Sequence, residues 1–131
     1  MLATASHTNG IIKQYFLEIG QVDVYDNYMV ARLNEGITLT LEKAYELIGI
    51  SEIHFRHKDF GYITVRENSY AVDPNIYSYI YHLENLKAFA IVSQKSIDMH
   101  NVKIEKHFYK KPMELFDNLP YAIKWVKQVI S

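Results

Sequence analysis

Three features of the 131-residue chain predict an α/β fold built on a mixed, mostly parallel sheet. From residue 40 onward, segments of helical periodicity alternate with short β-rich apolar runs, the pattern of successive βαβ units. Two strand-like stretches precede the first helix with no helix between them, which makes the opening an antiparallel edge pair. Hydrophobic residues are 49% and charged residues 22% of the chain, enough for one domain to close a core without a metal or disulfide.

Element by element, "IIKQYFLEIG" alternates Ile12, Gln14 and Phe16 with Lys13, Tyr15 and Leu17 and reads as a strand that Gly20 lets bend or break. "VDVY" continues it to the turn pair Asp26-Asn27, and "YMVARL" returns antiparallel. Asn34-Glu35-Gly36 ends that strand. Thr40 caps a helix with Glu42 in its first turn, where the dipole favours an acid. Leu41, Ala44, Tyr45, Leu47 and Ile48 follow at helical spacing, and the pattern runs on through Ile53 and His54. "FGYITV" is a short buried strand. Asp73 caps the next helix, with Pro74 at its first position and Ile76, Ile80 and Leu83 as its inner stripe. "LKAFAIV" is another buried strand. Ser93 or Ser96 caps a helix on which Ile97, Asn101, Ile104 and Phe108 share one face, Lys106 and His107 occupy the last turn, and Lys110-Lys111-Pro112 is the stop. "MELF" is the last strand, and Asn118 caps a final helix with Ala122, Ile123, Val126, Val129 and Ile130 inward. The order is ββαβαβαβα with right-handed crossovers. Residues 1–10 read as a frayed tail and 11–131 as one domain.

A net charge of −1 gives no general attraction to nucleic acid or an acidic membrane. The absence of cysteine excludes a disulfide framework, a thiolate metal site and a Cys nucleophile. No apolar run spans a bilayer, and "MLATASHTNG" lacks the regions of a signal peptide, so a cytoplasmic location is expected. There is no G-x-S-x-G elbow, Gly-rich phosphate loop or paired acid and base, so no catalytic set and no cofactor are expected. His54 and His57 could share a helix face, but two ligands do not make a metal site.

"EIGQVDVYDNYMVARLNEGITLT", "FGYITVRENSYAVDP", "AFAIVS" and "ELFDNLPYAIKWV" resemble the STAS domain, the anti-sigma-factor-antagonist fold, and more closely a STAS-like family of small bacterial proteins of unassigned function. The likeness covers most of Ile11 to Ile130. It implies a non-enzymatic regulatory module that acts by protein contact. In such antagonists a Ser or Thr in the loop after the third strand is phosphorylated to release the partner. The matching loop here is Arg66 to Pro74, in which Ser69 is the candidate for phosphorylation and no Asp-Ser-Ser-Gly occurs. Relatives grouped with CRAL-TRIO lipid-transfer domains imply the alternative, a carrier of a small apolar ligand or lipid.

In open parallel sheets ligands bind beyond the carboxyl ends of the strands. The loops from Arg66 to Ala71 and from Ser93 to Ser96 leave that edge, so Arg66, Asn68, Ser69, Tyr70, Ser93 and Lys95 are the candidate partner- or anion-binding residues. Ser, Asn and Asp occur equally at such places as caps and turn formers. A guanidinium is not a turn former, and Arg66 is therefore expected to offer its fork to a carboxylate or phosphate. Tyr77 lies beside the inner stripe of its helix. Tyr79 and Tyr81 fall off it and could form a homodimer or partner face.

Overall fold

The structure, a computed structural model, describes residues 10–67 and 70–131. Its elements are β1 (Lys13–Leu17), β2 (Gly20–Val24), β3 (Tyr28–Leu33), β4 (Thr38–Leu39), α1 (Leu41–Phe55), β5 (Phe60–Val65), β6 (Ala71–Val72), α2 (Asn75–Ile80), β7 (Leu86–Val92), α3 (Ser96–Phe108), β8 (Met113–Phe116) and α4 (Leu119–Ile130). Six strands form one sheet in the order β1-β2-β3-β5-β7-β8. The β1–β2 and β2–β3 pairs are antiparallel, and β3–β5, β5–β7 and β7–β8 are parallel.

The opening differs from the expected antiparallel pair. At Gly20, where the sequence allows a bend or a break, the chain breaks into two strands turned at Glu18-Ile19 and paired with each other, so a three-stranded meander precedes the parallel half. Gly20 starts the second of them at φ +149°, and a Cβ there would lie 2.3 Å from the Arg32 carbonyl oxygen. The glycine is therefore required by close approach to β3, at the point where the chain has just reversed. A second, two-stranded parallel sheet pairs β4 with β6 through Thr38↔Ala71 and Leu39↔Val72. Two residues per strand are too few for any periodicity to announce.

Helix α1, helix α2 and Val102 of α3 pack against one side of the sheet, with a core that includes Val22, Met29, Phe55, Tyr77, Phe89 and Ile91. On the other side Ala122 and Val126 of α4 pack against Val30, Ile63, Ala88 and Ala90. Two caps are as expected: Thr40 Oγ1 accepts from Lys43 N at 3.2 Å and Asn118 Oδ1 from Tyr121 N at 2.9 Å. The Asp73 carboxylate accepts from Asn75 N at 3.0 Å, but α2 starts one residue later than expected, with Pro74 and not Asp73 at the N-cap position. Neither Ser93 nor Ser96 caps α3; its first residue follows Lys95, which makes no side-chain cap. Ser93 Oγ instead accepts from Lys95 N at 3.1 Å and donates to Asp98 at 2.5 Å.

Helix α3 is inverted relative to an ordinary amphipathic helix. Its apolar face, Ile97, Ile104 and Phe108, points to solvent, with Ile97 58% exposed. Its buried side is Asp98, Val102 and Glu105. On α1, Tyr45 and Ile53 also point outward, against the expected inner pattern, with Ile53 72% exposed.

Candidate functional site

Strands β5 and β7 run parallel as neighbours with Val65 opposite Val92, and Arg66 N donates to Val92 O at 2.8 Å. The loops that follow them therefore leave the same sheet edge. They open on a cleft of about 570 Å³ whose walls include Arg32, Glu67, Ser93, Gln94, Lys95 and Asp117. Gln94 Nε2 donates to Asp117 O at 3.2 Å and ties the β7 and β8 ends together. Arg32 reaches Asp23 at 3.3 Å.

Of the sequence-predicted residues, Arg66, Ser93 and Lys95 all border this cleft. Tyr70 lies on the other side of Arg66, in a groove between β6 and α3. Asn68 and Ser69, and with them the candidate phosphorylation site, lie outside the described residues.

The guanidinium of Arg66 is not the open fork that the sequence suggested. The residue is only 7% exposed. Nη1 donates to Glu105 Oε2 at 2.8 Å and Nη2 to Oε1 at 2.6 Å, a bidentate pair within the chain. The reason is strand parity. Ile63 and Val65 turn toward α4, whereas Tyr62, Thr64 and Arg66 turn toward the side of α1–α3. Arg66 thus points under α3, where Glu105 of the inverted helix meets it.

Around this pair is a connected polar cluster. The Tyr77 hydroxyl donates to Glu105 Oε1, and Asp98 Oδ1 stands 3.9 Å from Arg66 Nη1. Arg66 Nε donates to the Tyr70 hydroxyl at 3.3 Å, and Tyr70 shares a 2.7 Å hydrogen bond with Thr64 Oγ1. The guanidinium carbon lies 5.3 Å from the Tyr70 ring centre. Burial opposes the charge on Arg66, but the fork to Glu105, with Tyr70 and Tyr77 nearby, outweighs it and raises its pKa. Burial first, and the Glu105 carboxylate second, push the Tyr77 phenol well above its ordinary value. The cluster joins the ends of β5 and β7 to α2 and α3, and it positions the loops without spending its own charges on a ligand.

Glu105, Asp98 and Tyr77 were not among the sequence candidates. The available signal was the two acids of α3, seven positions apart and off the apolar face, which share a side of the helix. The histidine pair does not assemble. His54 shares a 2.7 Å hydrogen bond with the Tyr15 hydroxyl, and no group of three or more His, Asp or Glu is placed to hold a metal among the described residues.

Beneath β4 and β6, a cavity of about 60 Å³ lies between the sheet and helices α1 and α2, lined by residues such as Leu39, Leu47, Phe60 and Phe89, with Thr64 and Tyr70 as polar neighbours. No described helix is long and apolar enough to cross a membrane.

No protein-family profile matches the chain. No curated protein matches it in sequence. Among solved structures it is similar to an uncharacterized protein of the DUF3478 family with a SpoIIAA-like fold from Shewanella loihica PV-4. The two share 11% identity at a TM-score of 0.56, over 87% of this chain and 90% of that one. At that identity the likeness is one of fold. The parallel β5–β7 core, its antiparallel opening and the helices on both sides thus have a SpoIIAA-like fold.

Proposed function

We propose that the chain is a non-catalytic binding module that regulates a protein partner by contact in the bacterial cytoplasm. The observation that carries this reading is the cleft at the shared edge of β5 and β7, where Glu67, Gln94 and Lys95 present polar groups on loops held by an internal ion pair. Its volume of about 570 Å³ suits a partner side chain or a small anion. Modulation by an anion or by phosphorylation at Ser69, two positions after Glu67 in the sequence, belongs to the same reading, because either adds negative charge.

The test is capture of partners from the native cytosol, quantified by mass spectrometry, with the wild type beside Glu67→Lys, Lys95→Glu and Ser69→Glu. The expected result is a partner held by the wild type and lost from the two cleft variants at unchanged melting temperature. A partner set indifferent to all three substitutions would show that the edge is architecture.

The alternative, a carrier of a small apolar ligand or lipid, would use the cavity beneath β4 and β6. Its volume of about 60 Å³ has room for a few waters and falls below the roughly 150 Å³ that admits a benzene-sized guest. A lipid would need the helices to move apart. Mass spectrometry of the denatured protein, expected to release no lipid, decides between the readings.

A further inference from the structure

We propose that the face formed by α1, α2 and α3 is a self-complementary interface that pairs two copies of this chain about a two-fold axis running along α2. The three helices lie on one side of the sheet, with α2 in contact with both α1 and α3. The outer surfaces of the two flanking helices differ in charge. On α1, Glu42, Glu46 and Glu52 are exposed around Ile53 and Tyr45 and outnumber the exposed bases, Lys43 and the C-cap Arg56, and Gly49 among them leaves a notch, since a Cβ there would meet nothing within 4 Å.

On α3 both acids, Asp98 and Glu105, are turned inward to Ser93 and Arg66. What remains outside includes Lys103, His100 and His107 beside the apolar stripe Ile97, Ile104 and Phe108, and, on the flank toward β8, Met99 and Lys106, the latter 3.6 Å from Glu114. Between these wings stand Tyr79 and Tyr81, both exposed, with Tyr79 edge-on to Tyr45 at 5.7 Å.

A two-fold along the centre of this face lays the acidic wing of each copy on the basic wing of the other and the tyrosines on one another. Each copy then contributes the same patch, as a closed dimer requires. Apolar residues on both wings supply buried area, and opposite charges set the register. The inverted packing of α3 is accounted for in the same way. An acid-in, apolar-out helix costs the monomer a hydrophobic face, and a second copy covers it. This dimer is independent of the strand-edge cleft, because none of its residues borders the cleft.

Sedimentation equilibrium of the full chain at low salt tests it. The wild type is expected to dimerise at about 100 µM or below and to weaken about tenfold or more on adding salt. Glu42→Lys/Glu46→Lys/Glu52→Lys and His100→Glu/Lys103→Glu/His107→Glu are each expected to be monomeric alone, and a mixture of the two should form a one-to-one heterodimer, because one contact is restored with reversed sign and the other is the wild-type pairing. Ile104→Asp, a single exposed change, should also give a monomer. A wild type that stays monomeric, a dimer that survives both charge reversals, or assembly beyond two copies overturns the proposal. So does a dimer broken by Phe16→Lys on the edge strand β1 and untouched by Ile104→Asp.

Discussion

Replacing Arg66 with alanine should be among the most destabilising single changes in this domain. The substitution removes two charge-assisted hydrogen bonds of 2.8 and 2.6 Å and leaves the Glu105 carboxylate buried with only the Tyr77 hydroxyl. Breaking one side of a buried pair costs about 3–5 kcal/mol. With an unfolding entropy of about 2.1 cal/mol/K per residue over 131 residues, that corresponds to a fall in Tm of about 11–18 °C. Thermal melts followed by circular dichroism, with urea titrations alongside, read the change directly. The double variant Arg66→Met/Glu105→Leu carries the sharper expectation. It removes both charges together, so no charge is stranded, and stability should recover most of the loss. If Arg66→Ala melts within about 2 °C of the wild type, the fork is not what holds α3 to the sheet. If the double variant is no better than the single, the loss comes from packing around the guanidinium stem and not from an unpaired charge.

Two further outcomes follow from single distances. A Cβ at Gly61 would lie 2.3 Å from Val126 Cγ1, so Gly61→Ala should overpack the β5–α4 contact by about 1–3 kcal/mol, measured by urea midpoint, and Gly61→Ala/Val126→Ala should relieve the clash. His54 is held below its ordinary value of 6.5 by burial and then by the charges of Lys13 and Lys58, so the folded state prefers the neutral ring. Its contribution is present above pH 6.5 and is lost as pH falls through the lowered folded value. The urea midpoint should therefore fall between neutral and mildly acidic pH, and His54→Phe should flatten that part of the profile.

Most of the fold was legible because most elements carry long-range pattern and local chemistry that agree. Thr40 and Asn118 announce helices, and their side chains make the caps expected of them, while Asp73 bonds the N–H of the first residue of α2 from two positions upstream. "FGYITV" and "LKAFAIV" are buried on both faces, as central parallel strands must be, and they are the neighbours β5 and β7. The meander was misread for a physical reason. Alternation continues unbroken through Leu17 and resumes at Gln21, and the two-residue reversal between them carries no Asn-Gly or Asp-Gly signal. Gly20, the point where the sequence allows a bend or a break, is the one mark of it, and its backbone demand settles it as a break.

The site was half legible, and the missing half turns on one helix. In the sequence Arg66 stands out by excess: a guanidinium is not needed to make a turn, so it must serve something else. It does serve something else, but that partner is Glu105, 39 positions on and inside the same chain. Period-two parity already placed Arg66 on the face of Tyr62 and Thr64, under the helices. What sequence reading lacked was the rotation of α3. The rule that an apolar stripe faces the core would bring Ile97, Ile104 and Phe108 inward and leave Glu105 in water, and with it Arg66 would have no partner. The fold resolves the conflict the other way. A buried arginine without a carboxylate costs about 3–5 kcal/mol. Three apolar side chains that stay about half buried forgo only part of the roughly 1.5–3 kcal/mol that full burial of each would bring, so the charge pair can set the rotation of the helix. Once Arg66 points inward, α3 must bring an acid to it, and Glu105 and Asp98 lie on the one side of the helix that can. The exposed stripe is thus the consequence of the buried fork. The same pair that removes Arg66 from the list of free ligands leaves α3 with an apolar, basic outer surface.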